Sequence, residues 1–269
     1  MVTDAKTFDA HVQAWLDECD KPWMRLKYAA ASNHINKHLP SLSKAGSLRI
    51  LDAGGGAGAA SLPFASQGHH VTIVDYSGAM LEAARHAAEA QGVQDRVALH
   101  QASVMDVAAL FPAEAFDFDV VLCHNVLQYV DDVTRLLDSI TRPLKSSGLL
   151  SLIAINRFSN PFQAAIRQND LVAALAGVNS HDANAVLFGN EPMRQYSGEE
   201  IIALLRSARC SLLGHYGILG ITSYLVDNAP KYDPVYYAQL EALEAALSDQ
   251  HPYYLLARYF HVLARKEAD

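Results

Sequence analysis

A cluster of glycines between an apolar run and a helical segment limits the architectures open to this chain. The run at residues 47–53 (SLRILDA) leads directly into Gly54-Gly55-Gly56-Ala57-Gly58. Glycines suit this position because a ligand can approach their backbone closely and because some residues of such a loop need a positive φ. The helix that follows has free backbone N–H groups at its first turn. A strand, a glycine loop and a helix in this order predict the start of a βαβ unit.

The alternation of strand and helix continues along the chain. Further strands are predicted at residues 70–76, 96–102, 118–125, 148–156, 210–218 and 257–266. Helices are predicted at residues 23–39, 78–91, 131–144, 158–177, 197–208 and 234–247. The alternation is typical of βαβ units and a parallel sheet. It is interrupted between about residues 158 and 196, where a helix is followed by a segment that predicts loops.

Composition and charge exclude several classes of protein. The 269 residues are 51% hydrophobic, which is too apolar for a disordered chain. The net charge of 21 − 29 = −8 argues against a nucleic-acid binder unless the cations gather on one face. We find no transmembrane segment and no secretory signal. Three distant cysteines, Cys19, Cys123 and Cys210, favour a reduced, cytoplasmic setting, and no motif predicts a metal site.

Two aspartates indicate which nucleotide the glycine loop binds. Asp75 ends the second predicted strand, 17 residues after Gly58, where a carboxylate can accept hydrogen bonds from both ribose hydroxyls. The spacing Gly54-x-Gly56-x-Gly58 is one residue shorter than the dinucleotide fingerprint. Asp52, just before the glycines, would repel a pyrophosphate and attract an ammonium group. The pattern therefore favours S-adenosylmethionine over NAD.

These residues resemble the class I S-adenosylmethionine-dependent methyltransferases. The chain looks more closely like the bacterial tRNA 5-carboxymethoxyuridine methyltransferase family. The stretches that carry the similarity include residues 49–58, 122–132, 148–156 and 252–266. The resemblance implies an α/β, Rossmann-like, doubly wound sheet of seven strands with the last strand antiparallel, an N-terminal helical segment and a helical or loop insertion.

We expect residues 1–269 to form a single class I methyltransferase domain. Its expected parts are an N-terminal helical segment (1–46), a cofactor-binding half (47–156), an insertion or lid (157–196) and a C-terminal half (197–269).

The resemblance also implies specific cofactor contacts, among them Arg25 with the methionyl carboxylate. Together with the residues that the patterns single out, the expected cofactor-binding set is Arg25, Asp52, Gly54, Gly55, Gly56, Gly58, Asp75, Tyr76, Ala102, Ser103 and His124. The carboxyl ends of four predicted strands supply Asp52, Asp75, Ala102 and His124, and ligands bind at such ends. Plain structural roles stay open: Arg25 as a surface residue, Ser103 as a helix N-cap and His124 as a packed histidine.

The acceptor is left open by the sequence. Methyl transfer from a sulfonium is an in-line displacement in which the protein mainly positions the reactants. No catalytic residue is assigned; His124 is the candidate. The first hypothesis is transfer to a carboxylate or hydroxyl oxygen of a small molecule. The alternatives are the carboxymethoxy group of a tRNA wobble uridine and a non-catalytic adenosyl-nucleotide-binding protein.

Local charge bears on the tRNA alternative. The insertion at residues 157–195 holds three basic and three acidic residues, and so offers no basic patch. Residues 21–44 contain Lys21, Arg25, Lys27, Lys37 and Lys44 and no acid. This strip is a candidate for contact with phosphate.

Overall fold

The fold is taken from a computed structural model, which describes residues 5–42, 46–111, 117–185 and 188–268. Its strands in chain order are β1 (Arg49–Ala53), β2 (His70–Asp75), β3 (Val97–Gln101), β4 (Phe118–His124), β5 (Leu144–Ile155), β6 (Asp182–Ala185), β7 (Glu191–Arg194), β8 (Cys210–Ile218) and β9 (Tyr259–Lys266). Seven of them form one sheet in the order β3-β2-β1-β4-β5-β9-β8. Strands β1 to β5 pair in parallel, and β9 is antiparallel to both of its neighbours. The predicted seven-stranded α/β sheet is thus confirmed.

Helices flank this sheet and precede it. They are α1 (Ala5–Ala10), α2 (Val12–Cys19), α3 (Pro22–Asn36), α4 (Leu62–Ser66), α5 (Gly78–Ala90), α6 (Val107–Leu110), α7 (Val133–Thr141), α8 (Asn160–Phe162), α9 (Leu171–Gly177), α10 (Gly198–Ser207) and α11 (Pro234–Leu247). In α10, Ser197 and Glu200 form the predicted capping box, so the N-terminal N–H groups of the helix are satisfied locally. Within the described residues no helix is long and apolar enough to cross a membrane.

The central strands are apolar on both faces because helices cover both sides of the sheet. Ile50 and Leu51 are neighbours on β1, yet they belong to different core clusters. The same division separates Val120 from Val121 on β4, since successive strand residues point to opposite faces. This double cover explains why these strands are continuous apolar runs rather than alternating ones.

The insertion differs from its prediction. The expected helix over residues 158–177 is broken, because Asn169 has a left-handed φ of 53° and Asp170 caps a new helix, α9, by accepting from Ala173 N. The segment expected to be loop contains a short antiparallel hairpin of β6 and β7. No period of apolar residues marked these short strands.

Candidate functional site

The glycine loop turns sharply between β1 and α4. Gly54, Gly56 and Gly58 have φ values of 76°, 52° and 78°, a region that other residues rarely adopt. A Cβ atom on Gly55 would lie 2.5 Å from the carboxylate of Asp52. Glycine is therefore required here both by backbone conformation and by the closeness of the loop to the strand that precedes it.

Asp75 ties two loops together at the end of β2. Its Oδ2 accepts from the backbone N–H of Gly56 at 2.9 Å, and its Oδ1 accepts from that of Ser77 at 2.9 Å. Ser77 in turn caps α5 by accepting from Met80 N. Burial raises the pKa of Asp75, against the effect of these N–H donors. The carboxylate is thus fixed beside the glycine loop, with lone pairs left for a ligand.

Asp52 is a buried acceptor in need of a donor. It is 1% exposed, and its Oδ2 has no hydrogen-bond partner among the described residues. Burial, with a smaller contribution from the nearby Asp75 charge, raises the pKa of Asp52 to about 7. An unsatisfied buried acceptor costs free energy. A cationic N–H donor bound in front of it would remove that cost and restore the ionised form.

Lys27, rather than Arg25, is the cation of α3 that reaches this region. Lys27 is 2% exposed, lines the same cavity and has its Nζ 4.1 Å from the centroid of the Tyr259 ring. Burial lowers its pKa. Arg25 is exposed, with its guanidinium 5.8 Å from the Tyr237 ring, and does not line the cavity. Two residues along a helix turn a side chain by more than half a revolution, so Arg25 points away from the cavity that Lys27 lines.

These groups surround a cavity of about 520 Å³ at the carboxyl ends of the parallel strands. The structure brings eight of the predicted residues to its wall: Asp52, Gly54, Gly55, Gly56, Asp75, Tyr76, Ser103 and His124. Ser103 also has its plain structural role, because its Oγ accepts from Met105 N. The volume lies in the range of ligand sites.

Three predicted residues are not part of the wall: Arg25, Gly58 and Ala102. A Cβ on Gly58 would lie 2.9 Å from Leu62 and 3.0 Å from Ile73, so this glycine permits close packing of α4 on the sheet. Ala102 acts through its backbone, where its N–H donates to Asp75 O at 3.0 Å.

An aromatic roof, which the sequence did not reveal, covers the cavity. We use this name for Phe8, Trp15, Tyr76, Tyr129 and Phe188. The ring of Phe8 lies 4.6 Å from that of Phe188, 5.3 Å from Tyr129 and 5.4 Å from Tyr76, and Trp15 lies 5.7 Å from Phe188. The roof joins α1, α2, the β2 and β4 ends and the β6–β7 hairpin. Such rings offer an apolar surface to an adenine or a flat acceptor.

His124 ends β4 at the wall of the cavity. Its Nε2 bonds Ser151 Oγ at 2.8 Å, and its Nδ1 has no partner among the described residues. Burial, aided by the Lys27 charge, lowers the pKa of His124 to about 3. His124 is therefore neutral at physiological pH and a weak base.

The unsatisfied groups of the wall match the cofactor expected from the sequence. Asp52 presents an oxygen, Oδ2, that has no donor among the described residues, and Lys27 presents an ammonium that bonds no carboxylate among them. An amino-acid end, which carries one ammonium and one carboxylate, would satisfy both. Asp75 stands at the strand next to Asp52, where ribose hydroxyls can reach it. The residues thus fit S-adenosylmethionine.

Comparisons with known proteins agree with this geometry. Residues 51–152 match the model of the methyltransferase domain family. The chain is 32% identical over 220 residues to a tRNA 5-carboxymethoxyuridine methyltransferase of Escherichia coli, covering 81% of this chain and 80% of the relative. It is 32% identical over 149 residues to a ubiquinone biosynthesis O-methyltransferase of Xylella fastidiosa, covering 55% and 57%.

The fold has a counterpart among solved structures. A SAM-dependent methyltransferase of Thermotoga maritima superposes with a TM-score of 0.64 at 17% identity, over 98% of this chain and 100% of that one. From the site, the fold and the relative of matching length, this chain belongs to the class I S-adenosylmethionine-dependent methyltransferases, in the family that includes the tRNA 5-carboxymethoxyuridine methyltransferases.

Proposed function

We propose that this methyltransferase transfers the methyl group to a carboxylate oxygen of its acceptor. The supporting observation is the weakness of the candidate base on the wall of the cavity. His124, the candidate from the sequence, has a pKa lowered to about 3 and cannot take a proton from a hydroxyl efficiently. A carboxylate is already ionised near neutral pH and needs no base.

Asp52 does not replace His124 in that role. Its pKa of about 7 would suit a base, but its carboxylate lies directly below Gly55 at the cofactor end of the cavity. The methionyl ammonium of the bound cofactor would pair with it there and lower its pKa. Asp52 then holds the cofactor and is no longer available to the acceptor.

A cation at the wall favours an anionic acceptor. Arg258 lines the cavity, and its Nη1 donates to Ser159 Oγ at 3.2 Å and to Asn160 Oδ1 at 3.3 Å. These neutral acceptors orient the guanidinium without neutralising it. Guanidinium groups bind carboxylates with strong, directional hydrogen bonds. Arg258 is therefore our candidate for orienting the acceptor carboxylate.

The acceptor proposed for this carboxylate is 5-carboxymethoxyuridine at the wobble position of tRNA. The support is the E. coli relative, whose name states this substrate and which the chain matches over four-fifths of its length. Arg25 and Lys37 are exposed on and just after α3 and are free to meet phosphates. Lys27 is buried and leaves the basic strip, whereas Lys44 lies outside the described residues.

In this mechanism the cofactor supplies an activated methyl group, and the chain positions the reactants. Asp52 and Lys27 hold the methionyl end, Asp75 holds the ribose, and the aromatic roof excludes water from the reacting atoms. Arg258 aligns the acceptor oxygen with the methyl group. Proximity and alignment of this kind account for much of the rate in a displacement reaction.

The test is methylation of tRNA that carries 5-carboxymethoxyuridine by the purified protein, with the methyl ester detected by nucleoside mass spectrometry. We expect ester formation, none on tRNA that lacks the modification, and a loss of about 10- to 100-fold in kcat/KM for Arg258→Ala, with partial recovery in Arg258→Lys. No ester despite measured cofactor binding would reject this acceptor.

A small molecule with a hydroxyl group is the second candidate. The aromatic roof favours it, because a covered apolar cavity suits a flat small molecule, and the Xylella fastidiosa relative is a ubiquinone biosynthesis O-methyltransferase by name. A measurement of proton release distinguishes a hydroxyl acceptor from a carboxylate acceptor. Methylating a hydroxyl releases one proton for each methyl group transferred, whereas methylating a carboxylate releases none. A pH-indicator measurement in weak buffer shows which occurs.

A further inference from the structure

A row of buried polar side chains crosses the sheet behind His124. His124 on β4 pairs in register with Ile153 on β5, which pairs with His261 on β9. Ser151 lies two residues before Ile153 and points to the same face of the sheet. Its Oγ lies 2.8 Å from His124 Nε2 and 2.9 Å from His261 Nε2.

The row continues from β9 through His34 of α3 to Ser248, the residue that follows α11. His261 Nδ1 lies 3.1 Å from His34 Nδ1, and His34 Nε2 lies 3.3 Å from Ser248 Oγ, just after α11. All five side chains are at least nine-tenths buried. His34 and Ser248 line a second cavity of about 370 Å³, separate from the cofactor cavity. The row therefore joins the wall of one cavity to the wall of another.

One carbonyl group sets the direction of every hydrogen bond in the row. Ser248 Oγ lies 3.0 Å from the carbonyl oxygen of Ala245, which can only accept. Ser248 has a single proton, so it donates to Ala245 and accepts from His34 Nε2. A neutral His34 then has a bare Nδ1, which must accept from His261 Nδ1.

The same reasoning assigns the donor and the acceptor in the hydrogen bonds from His261 to His124. His261, with its proton on Nδ1, has a bare Nε2 that accepts from Ser151. Ser151 has then used its proton, so it accepts from His124 Nε2. The logic requires neutral histidines, and burial lowers the pKa of His124 to about 3, that of His34 to about 4 and that of His261 far below its usual value. The nearby Lys27 and Lys37 charges act in the same direction on His124 and His34.

We infer that Ser151, His261, His34 and Ser248 form one directed hydrogen-bond chain that holds His124 with its proton on Nε2 and leaves Nδ1 as a bare acceptor at the cofactor cavity. The four are positioning residues that act through His124. The bare Nδ1 has no partner among the described residues. The cavity therefore selects ligands that present an N–H or O–H donor at this point, and the second cavity is coupled to that selection.

The experiment measures histidine tautomers in the full-length protein labelled with ¹⁵N-histidine. Long-range ¹H–¹⁵N correlation spectra distinguish a protonated ring nitrogen from a bare one, and a His124→Gln spectrum assigns the His124 signals. At neutral pH we expect a single His124 form with Nε2 protonated. A His124 signal with Nδ1 protonated in the wild-type protein overturns the inference.

Substitutions at the two ends of the row test the coupling. Ser151→Ala removes the acceptor of His124, and Ser248→Ala removes the group that sets the direction from the far end. We expect each to produce a second His124 tautomer with Nδ1 protonated. Ser248→Thr keeps the hydroxyl group and is expected to give the wild-type spectrum.

A Ser248→Ala protein whose His124 keeps its single form overturns the coupling, and so does a Ser248→Thr protein that loses it. Unfolding curves followed by circular dichroism show whether each variant is folded. If Ser151→Ala does not fold, the Ser248 pair decides the question alone, because Ser248 lines the second cavity and not the cofactor cavity. His38→Gln is the matched control: His38 bonds the Tyr216 hydroxyl beside His34 but is outside the chain, and its loss should leave His124 unchanged.

Discussion

Lys27 and Arg25 lie two residues apart on α3, yet Lys27 is buried at the cofactor cavity while Arg25 is exposed against Tyr237. We predict that Lys27→Ala weakens binding of S-adenosylhomocysteine by about 10- to 100-fold, because a charged hydrogen bond is lost. Arg25→Ala, the matched control, should change it by less than about twofold, since exposed charges contribute little. Isothermal titration calorimetry measures both. The opposite order would restore Arg25 as the cofactor contact.

Asp52 is expected to lower the stability of the ligand-free protein and to strengthen binding of the cofactor. Its pKa is raised to about 7 in the folded protein against 3.8 as its ordinary value. The folded state therefore keeps a proton that the unfolded state loses, so stability falls as pH rises between these values. Asp52→Asn should stabilise the ligand-free protein at pH 8 by about 2–4 kcal/mol and weaken S-adenosylhomocysteine binding.

Urea unfolding curves and calorimetry on the same samples check both halves of this prediction. A variant at pH 8 that is no more stable than the wild-type protein would show that the Asp52 carboxylate is better solvated than its burial indicates. Ser66→Ala, at an exposed serine that donates to the Leu62 carbonyl within α4, serves as a control with no ionisable group.

Acid should destabilise the protein through its buried histidines. The folded pKa of His34 is lowered to about 4 and that of His124 to about 3, while unfolded histidines titrate near 6.5. The unfolded chain thus binds more protons, and stability is lost as pH falls from about 6.5 towards 4. For His34 the loss approaches roughly 3 kcal/mol at pH 4.

Unfolding free energies measured between pH 7 and pH 4 test this dependence. His34→Gln should flatten the acid limb of the curve, whereas His86→Gln, at an exposed position on α5, should leave its slope unchanged. Equal slopes in the wild-type protein and His34→Gln would contradict the prediction.

Loss of a ring from the aromatic roof should loosen α1 and α2 without unfolding the rest of the protein. Phe188→Ala removes a ring that contacts Phe8, Trp15 and Tyr129, at a cost of about 1–3 kcal/mol in roof packing. We expect weaker S-adenosylhomocysteine binding and faster proteolysis within α1 and α2. Phe162→Ala, at a more exposed ring on α8, is the control and should change neither property. Unaltered proteolysis in Phe188→Ala would mean that the roof does not hold these helices.

The sheet was predictable because its signals are local. Strand β8 (Cys210–Ile218) and helix α11 (Pro234–Leu247) match their predicted bounds, and the other sheet strands differ by a few residues at their ends. Asp52, Asp75 and His124 could be placed together for a topological reason, since parallel strands present their carboxyl ends at one edge. These inferences needed only the chain order of strands and helices.

The remaining parts of the site depend on contacts between distant segments. The choice between Arg25 and Lys27 is set by how α3 is rotated against Tyr259, which no local pattern reports. The aromatic roof gathers rings as far apart in sequence as Phe8 and Phe188, and its hairpin has no apolar period. The row of buried polar side chains behind His124 also depends on distant segments, because His34 and His261 are 227 residues apart.

The position of β9 has a consequence for how the protein is made. Strand β9 lies between β5 and β8, although both of those strands precede it in the chain. During synthesis β8 therefore has no sheet partner until the ribosome has released β9, whereas β1 to β5 can already assemble. The nascent chain would hold its nucleotide loop in near-final form while Lys27 still lacks Tyr259 and Ser151 still lacks His261. Completion of the enzyme thus waits until β9 has been translated.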